Sequence, residues 1–200
     1  MGFKSLIDVI LSRRHVCPWW LCFTFDNVFR KLYQDPDKIV RGCIRPGDTV
    51  LDIGAGMGYF TIPMARLAGP RGRVIAVDLQ ERMLAGIRLR AEKAGLQDRI
   101  VLHLGEIDSV APGTAADFIL TFWMFHEIPE PTRFLAELSG LLKENGSWLL
   151  SEPRMHVSKK AFEATTAAAL QAGFRIESRP GIPMSRAVLL VKKGRSDRRP

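Results

Sequence analysis

The sequence predicts an α/β domain: a mostly parallel β-sheet covered by helices on both faces and ending in an antiparallel hairpin. Three observations carry that expectation. From residue 48 onward, short β-branched or aliphatic runs alternate strictly with longer helical ones, the pattern of a parallel sheet whose strands are joined by crossover helices. A glycine-rich stretch, GAGMG at 54–58, stands between a strand run and a helical run, where such sheets bind nucleotide-like ligands. The last two strand runs are separated only by RPGIP at 179–183, a turn with no room for a helix, so they read as a hairpin.

Taken in order, the strand candidates are TVLDIG (49–54), RVIAVDL (73–79), RIVLHLG (99–105), DFILTFW (117–123), GSWLLSEP (146–153), FRIESRP (174–180) and RAVLLVKK (186–193). Their lengths and flanking turn residues fit strands. The helical runs are 61–68, 80–94, 131–142 and 158–172. The second places Met83, Leu84, Ile87 and Ala91 at helical spacing and stops at Gly95; the fourth starts from a Ser158 cap and ends at Gly173, both ordinary helix punctuation. Residues 1–47 read as an aromatic-rich N-terminal extension that opens with a short helix at 4–14 and is a candidate lid. Residues 48–193 form the ligand-binding domain, and 194–200 a basic tail.

Composition narrows the function. Two hundred residues, 46% hydrophobic and 25% charged, describe one folded domain and set aside disordered, collagen-like and coiled-coil classes. The formal charge of +8 favours anionic partners without identifying one; nucleic acid stays a less favoured partner. Cys17, Cys22 and Cys43 are odd in number and lack CxxC spacing, which suits a reducing, cytoplasmic compartment and no metal. The longest nearly apolar run, VCPWWLCFTF, is about half the ~20 residues of a membrane-spanning helix. SLIDVIL is broken by Asp8 and lacks a cleavage site, so no signal peptide is expected.

The glycine loop departs from the dinucleotide fingerprint, which places its third glycine at position 59, here Tyr59; no Gly-Lys-Ser/Thr follows for a phosphate loop either. Asp52 lies two residues before Gly54, where a pyrophosphate would meet a like charge in a poorly screened cleft. A cationic adenosyl ligand without phosphate, S-adenosylmethionine, suits that position. Asp78, at the end of the second strand, is placed to accept ribose hydroxyls. Glu106 can take the adenine amino group, with Ile107 and Met83 on the two faces of the ring.

VLDIGAGMGYFT, VIAVDLQERML, LGEI, DFILTFWMFHEIPEPTRFLAEL and LLKENGSWLLSEP resemble, in order and spacing, the motifs of class I S-adenosylmethionine-dependent methyltransferases. They are most similar to the quinone-biosynthesis-like (methyltransferase type 11) branch. The resemblance spans about residues 46–193 and implies a Rossmann-like, seven-stranded sheet with the same terminal hairpin, and S-adenosylmethionine as methyl donor. Carried over by position, Asp52, Gly54, Ala55, Gly56 and Gly58 form the methionine-side loop, and Asp78 holds the ribose. Leu79, Met83, Glu106 and Ile107 surround the adenine, and Thr121 or Phe122 offers backbone near the methionine amino group. For Met83, ordinary helix packing is the competing reading.

Methyl transfer is a displacement at a carbon already activated by sulfonium, so positioning and exclusion of water suffice and a base is optional. His126, just past the fourth strand, titrates in the useful range and is the candidate general base, with Glu127 beside it; tethering of its loop is the alternative role. His156 is the second choice. Trp19, Trp20, Phe23, Phe25, Phe29 and Tyr33 suggest a lid over an apolar or planar acceptor, with packing on the sheet as the alternative. The expected function is methyl transfer to a small apolar or aromatic molecule. An RNA methyltransferase is one alternative, although TFWMFHEIPEP is not the Asn/Asp-Pro-Pro-aromatic box used on flipped bases. A non-catalytic S-adenosylmethionine-binding or scaffold protein is the other.

Overall fold

Each expected strand forms, and the order in which they pair decides where a ligand can sit. The computed structural model describes residues 28–105 and 113–192, with side chains from Arg30 onward. Two short helices come first, α1 (Val28–Tyr33) and α2 (Pro36–Val40). Then follow β1 (Thr49–Ile53), α3 (Thr61–Ala68), β2 (Arg73–Asp78), α4 (Glu81–Ala94) and β3 (Ile100–Leu104). The second half holds β4 (Ala116–Phe122), α5 (Pro131–Leu141), β5 (Leu142–Pro153), α6 (Lys159–Gln171), β6 (Phe174–Ser178) and β7 (Ser185–Lys192). The aromatic residues Trp19, Trp20, Phe23 and Phe25, the side chain of Phe29, the helix at 4–14, Glu106, Ile107 and the basic tail lie outside the described residues.

The seven strands form one sheet in the order β3-β2-β1-β4-β5-β7-β6. The first five are parallel, and β7 runs antiparallel to both β5 and β6. The expected hairpin is therefore present, with its second strand inserted between β5 and its first. Successive strand residues face opposite layers. Val50, Phe118, Leu120 and Leu149 join the core under α3 and α4, whereas Leu51, Ile119, Trp148 and Leu150 join the core under α5 and α6.

One boundary differs from expectation. β5 starts at Leu142, directly where α5 ends, and not at Gly146. Leu142 is already extended, at φ −80° and ψ 130°, and pairs with Ala116. The polar Lys-Glu-Asn run at 143–145 lacks the apolar pattern that marks a strand, and a register shift between Ala116 and Phe118 absorbs the irregularity. Elsewhere the caps behave as read: Ser158 accepts from the Ala161 N–H at 3.1 Å to start α6, and Gly95 closes α4 in the left-handed conformation.

Candidate functional site

Strand order reverses at β1, which pairs β2 on one side and β4 on the other. Loops leaving β1 and β4 therefore diverge to opposite faces and leave a crevice at the carboxyl ends of the strands. Parallel pairing of Ile53 with Val77 sets the glycine loop beside the end of β2, and the loop is stitched there. The N–H groups of Gly54 and Ala55 both donate to Val77 O, at 2.9 and 3.0 Å, and the Gly58 N–H donates to Ala55 O at 3.0 Å. The Gly56 N–H donates to Asp78 Oδ2 at 2.9 Å. These four donors are spent inside the protein, whereas a phosphate loop aims its N–H groups at the ligand.

The three glycines all adopt positive φ, 70° at Gly54, 55° at Gly56 and 87° at Gly58, which other residues enter only with strain. Their surroundings differ. A Cβ on Gly54 would meet Met124 Cγ at 2.7 Å, and one on Gly58 would meet Ile87 Cγ1 at 3.2 Å; the same position on Gly56 has nothing within 4 Å. The cradle is open at Gly56 and packed shut at its two ends.

Both candidate carboxylates are buried. Asp78 also accepts from the Gln80 N–H at 3.0 Å, and burial, outweighing these backbone donors, pushes its carboxyl up to about 6. Asp52 accepts from Thr61 Oγ1 at 2.5 Å; burial first, and then the nearby Asp78 charge, push it up to about 7 against the Thr61 hydrogen bond. Burial disfavours the ionised forms of both acids, and a cation beside them would favour those forms. Of the residues expected around the adenine, Leu79 is 40% exposed, whereas Met83, on α4, is 2% exposed.

Next to the glycine loop lies a group of aromatic side chains. Phe122, the last residue of β4, lies 4.4 Å from Phe60 between ring centroids, and Trp123 follows with a left-handed φ of 61°. Such strain in a non-glycine residue persists only where neighbours enforce it. Here the Trp123 N–H donates to Ser151 O at 2.7 Å and its indole N–H donates to Ser185 Oγ at 2.8 Å. The Arg30 guanidinium, from α1, sits 4.4 Å from the Tyr59 ring centroid and 4.7 Å from that of Trp123, within cation–π range. Fully buried Gln34 ties this group together: it accepts from Arg30 Nε at 3.0 Å and donates to Pro183 O at 2.6 Å, and its own carbonyl accepts from the Tyr59 hydroxyl at 2.7 Å.

His126 stands in a 3₁₀ turn, Phe125–Glu127, after β4. Its Nδ1 lies 2.7 Å from Glu152 Oε2, and Glu152, near the end of β5, is only 2% exposed. The hydrogen bond with Glu152 raises the His126 pKa above its ordinary value, against the effect of burial. The His156 ring lies parallel to that of His126, 6.2 Å away. Sequence reasoning named both histidines but missed Glu152, Arg30, Gln34 and Ser185. A usable signal existed only for Glu152: an acid inside the apolar run SWLLSEP, where a buried charge needs a partner.

Residues 44–181 match the model of a family described as a methyltransferase domain, and the chain belongs to the class I S-adenosylmethionine-dependent methyltransferases. The demethylmenaquinone methyltransferase of Symbiobacterium thermophilum is 34% identical over 109 residues, which cover 54% of this chain and 43% of that protein. That of Listeria welshimeri is 27% identical over 137 residues, covering 67% of this chain and 57% of the relative. The chain thus matches about half the length of these curated relatives. Among solved structures, a SAM-dependent methyltransferase from Aquifex aeolicus superposes with a TM-score of 0.78 at 24% identity, covering 88% of this chain and 98% of its own, a likeness of fold. Among the described residues, no helix is long and apolar enough to cross a membrane.

Proposed function

We propose that this chain transfers the methyl group of S-adenosylmethionine in line to a small, apolar or aromatic acceptor. The single observation that carries this reading is the stitched loop: Gly54, Ala55, Gly56 and Gly58 give their N–H groups to protein oxygens, so the cradle suits a ligand without phosphates. When bound, the donor supplies a methyl carbon on sulfonium, which departs as a neutral thioether. Asp78 would hold the ribose hydroxyls, Asp52 would add negative charge on the methionine side, and Gly56 would leave room for the ligand to approach. Phe60 and Phe122, buried beside the loop, and the less buried Trp123 would help exclude water. The two relatives' names concern demethylmenaquinone, and the aromatic residues beside the loop support an acceptor with apolar or aromatic character. The free, partly buried Cys43 agrees with a cytoplasmic setting.

Isothermal calorimetry tests the reading. S-adenosylmethionine and S-adenosylhomocysteine are expected to bind, NAD is not, and Asp78→Ala should weaken donor binding by roughly 100-fold, the loss of two hydrogen bonds to a charged group. Tight NAD binding would refute the assignment. The charge of +8 favours a second reading, an RNA acceptor. Methyl label recovered in RNA, with binding that weakens steeply as salt rises, would select it.

A further inference from the structure

Where β5 ends and β7 starts, three segments far apart in the chain are bonded together, and each leaves large apolar side chains in solvent. Gln34, just after α1, donates to Pro183 O at 2.6 Å and to Ser185 Oγ at 3.3 Å. The Arg154 N–H donates to Met184 O at 2.9 Å, and Arg154 Nε donates to Ser185 O at 2.8 Å. Around these bonds Leu32 is 82% exposed, Tyr33 44%, Met155 76% and Met184 45%. Half of the eight large apolar side chains exposed among the described residues thus gather here. Single exposed apolar residues are ordinary, but a gathered set marks an interaction surface. Met184 also holds a left-handed backbone, at φ 59°, in a turn that glycine or asparagine would enter with less strain. A bulky apolar side chain kept there and left half exposed points to use and not to packing.

The charges around these side chains identify what would cover them. Lys31 on α1, Arg154 beside Met155, and Lys159 and Lys160 at the start of α6 are all exposed, and the stretches 154–160 and 179–186 contain no acid. The neighbouring carboxylates are already engaged. Asp35 accepts the Asp37 N–H at 3.1 Å and lies 3.9 Å from Lys38 Nζ, and Glu163 accepts from Arg179 at 2.9 and 3.1 Å. The sequence leading into α1 has the same character: VCPWWLCFTF at 16–25, outside the described residues, carries two adjacent tryptophans and no charge. Such a run suits the boundary between lipid headgroups and acyl chains and is too short to cross a bilayer. Nucleic acid would satisfy the cations and leave the methionines in water, whereas apolar tips among positive charges are complemented by a bilayer with anionic headgroups. We propose that this surface docks on an anionic lipid bilayer, with Leu32, Tyr33, Met155 and Met184 entering the interface and the basic side chains facing phosphates. The same segments carry the aromatic group beside the glycine loop, through Arg30 over Tyr59 and Trp123 and through the Trp123 indole on Ser185 Oγ at 2.8 Å. Docking therefore brings the crevice to the phase in which an apolar acceptor dissolves, a consequence that alone rests on the methyl-transfer reading.

Flotation of the full chain with phosphatidylcholine vesicles, with and without phosphatidylglycerol, tests this. The protein should float with vesicles that contain phosphatidylglycerol, come off them as salt rises, and bind phosphatidylcholine alone roughly 10-fold or more weakly. Lys31→Gln, Lys159→Gln and Lys160→Gln should each weaken binding roughly fivefold. Leu32→Ser, Met155→Ser and Met184→Asn should each weaken it roughly 5- to 10-fold, with the circular dichroism spectrum of wild type retained. Asparagine tolerates the left-handed turn, so the effect at position 184 is read apart from folding. Wild type that ignores phosphatidylglycerol vesicles, or vesicle binding that all six substitutions leave unchanged, would overturn the proposal. So would self-association in sedimentation equilibrium that Leu32→Ser and Met155→Ser abolish, since a second copy would then cover the surface, or RNA binding that the lysine substitutions weaken while vesicle binding stays at the wild-type level. Flotation needs neither donor nor acceptor, so its failure would leave the methyl-transfer reading standing, and failure to bind S-adenosylhomocysteine would leave the lipid surface standing.

Discussion

The two walls of the crevice are built of different material. The wall proposed for the donor is largely backbone: a loop of positive-φ glycines bonded to the end of the next strand, with two acids from adjacent strand ends. The aromatic group beside it, proposed for the acceptor, is largely side chain, and it gathers groups far apart in the chain, such as Gln34 and Ser185, 151 residues from one another. The first depends on local conformation that any member of the fold must reproduce to hold the same donor. The second depends on which side chains the sheet order brings together, and so is where a change of acceptor can be written without disturbing the fold.

That contrast can be broken or sharpened by substitution. After the loss expected at Asp78, the largest effect should come from the loop itself. Gly54→Ala would combine a strained backbone with a Cβ driven into Met124, a cost of roughly 2–5 kcal/mol in urea unfolding. Gly56→Ala, with open space around the new methyl, should cost only the backbone strain, about 1–2 kcal/mol. Equal losses at the two positions would show that packing around the loop does not matter.

A smaller effect is expected from the buried acids. Asp52 and Asp78 are raised from 3.8 to about 7 and about 6. A carboxyl raised on folding favours the folded state most below its unfolded pKa, and that advantage is lost as pH rises through the folded value. Stability of the unliganded protein should therefore fall from about pH 4 to about pH 7. A cationic donor favours the ionised acids, so its binding near pH 6.5 should release a fraction of a proton, measured by calorimetry in buffers of different ionisation enthalpy. Proton uptake would contradict the assigned role of these acids.

The geometry of the loop and its two acids was legible in the sequence because its parts are close together. Asp52, the glycines and Asp78 are separated by one strand–helix–strand unit, and their spacing alone locates them. The strands and helices were equally readable, since each carries its own periodicity; β5 began early only because polar residues at 143–145 hide an extended backbone. The aromatic group and its ties were not legible. No local pattern says that Gln34 will reach Pro183, or that the acid of SEP will bind the histidine of FHE. Those contacts follow from β7 inserting beside β5 and from parallel pairing of β4 with β5, which a single sequence does not encode within any short window. Asp52 illustrates the intermediate case: its position was evident, but its partial neutrality arises from burial, which depends on the finished fold.

The most direct test of the central claim is a crystal of the protein soaked with S-adenosylhomocysteine, and a second soaked with NAD. The account predicts the adenosyl ribose on the Asp78 carboxylate in the first, with the loop N–H groups still bonded to Val77 and Ala55, and an unchanged cradle in the second. A diphosphate seated on loop N–H groups turned away from those partners would contradict it.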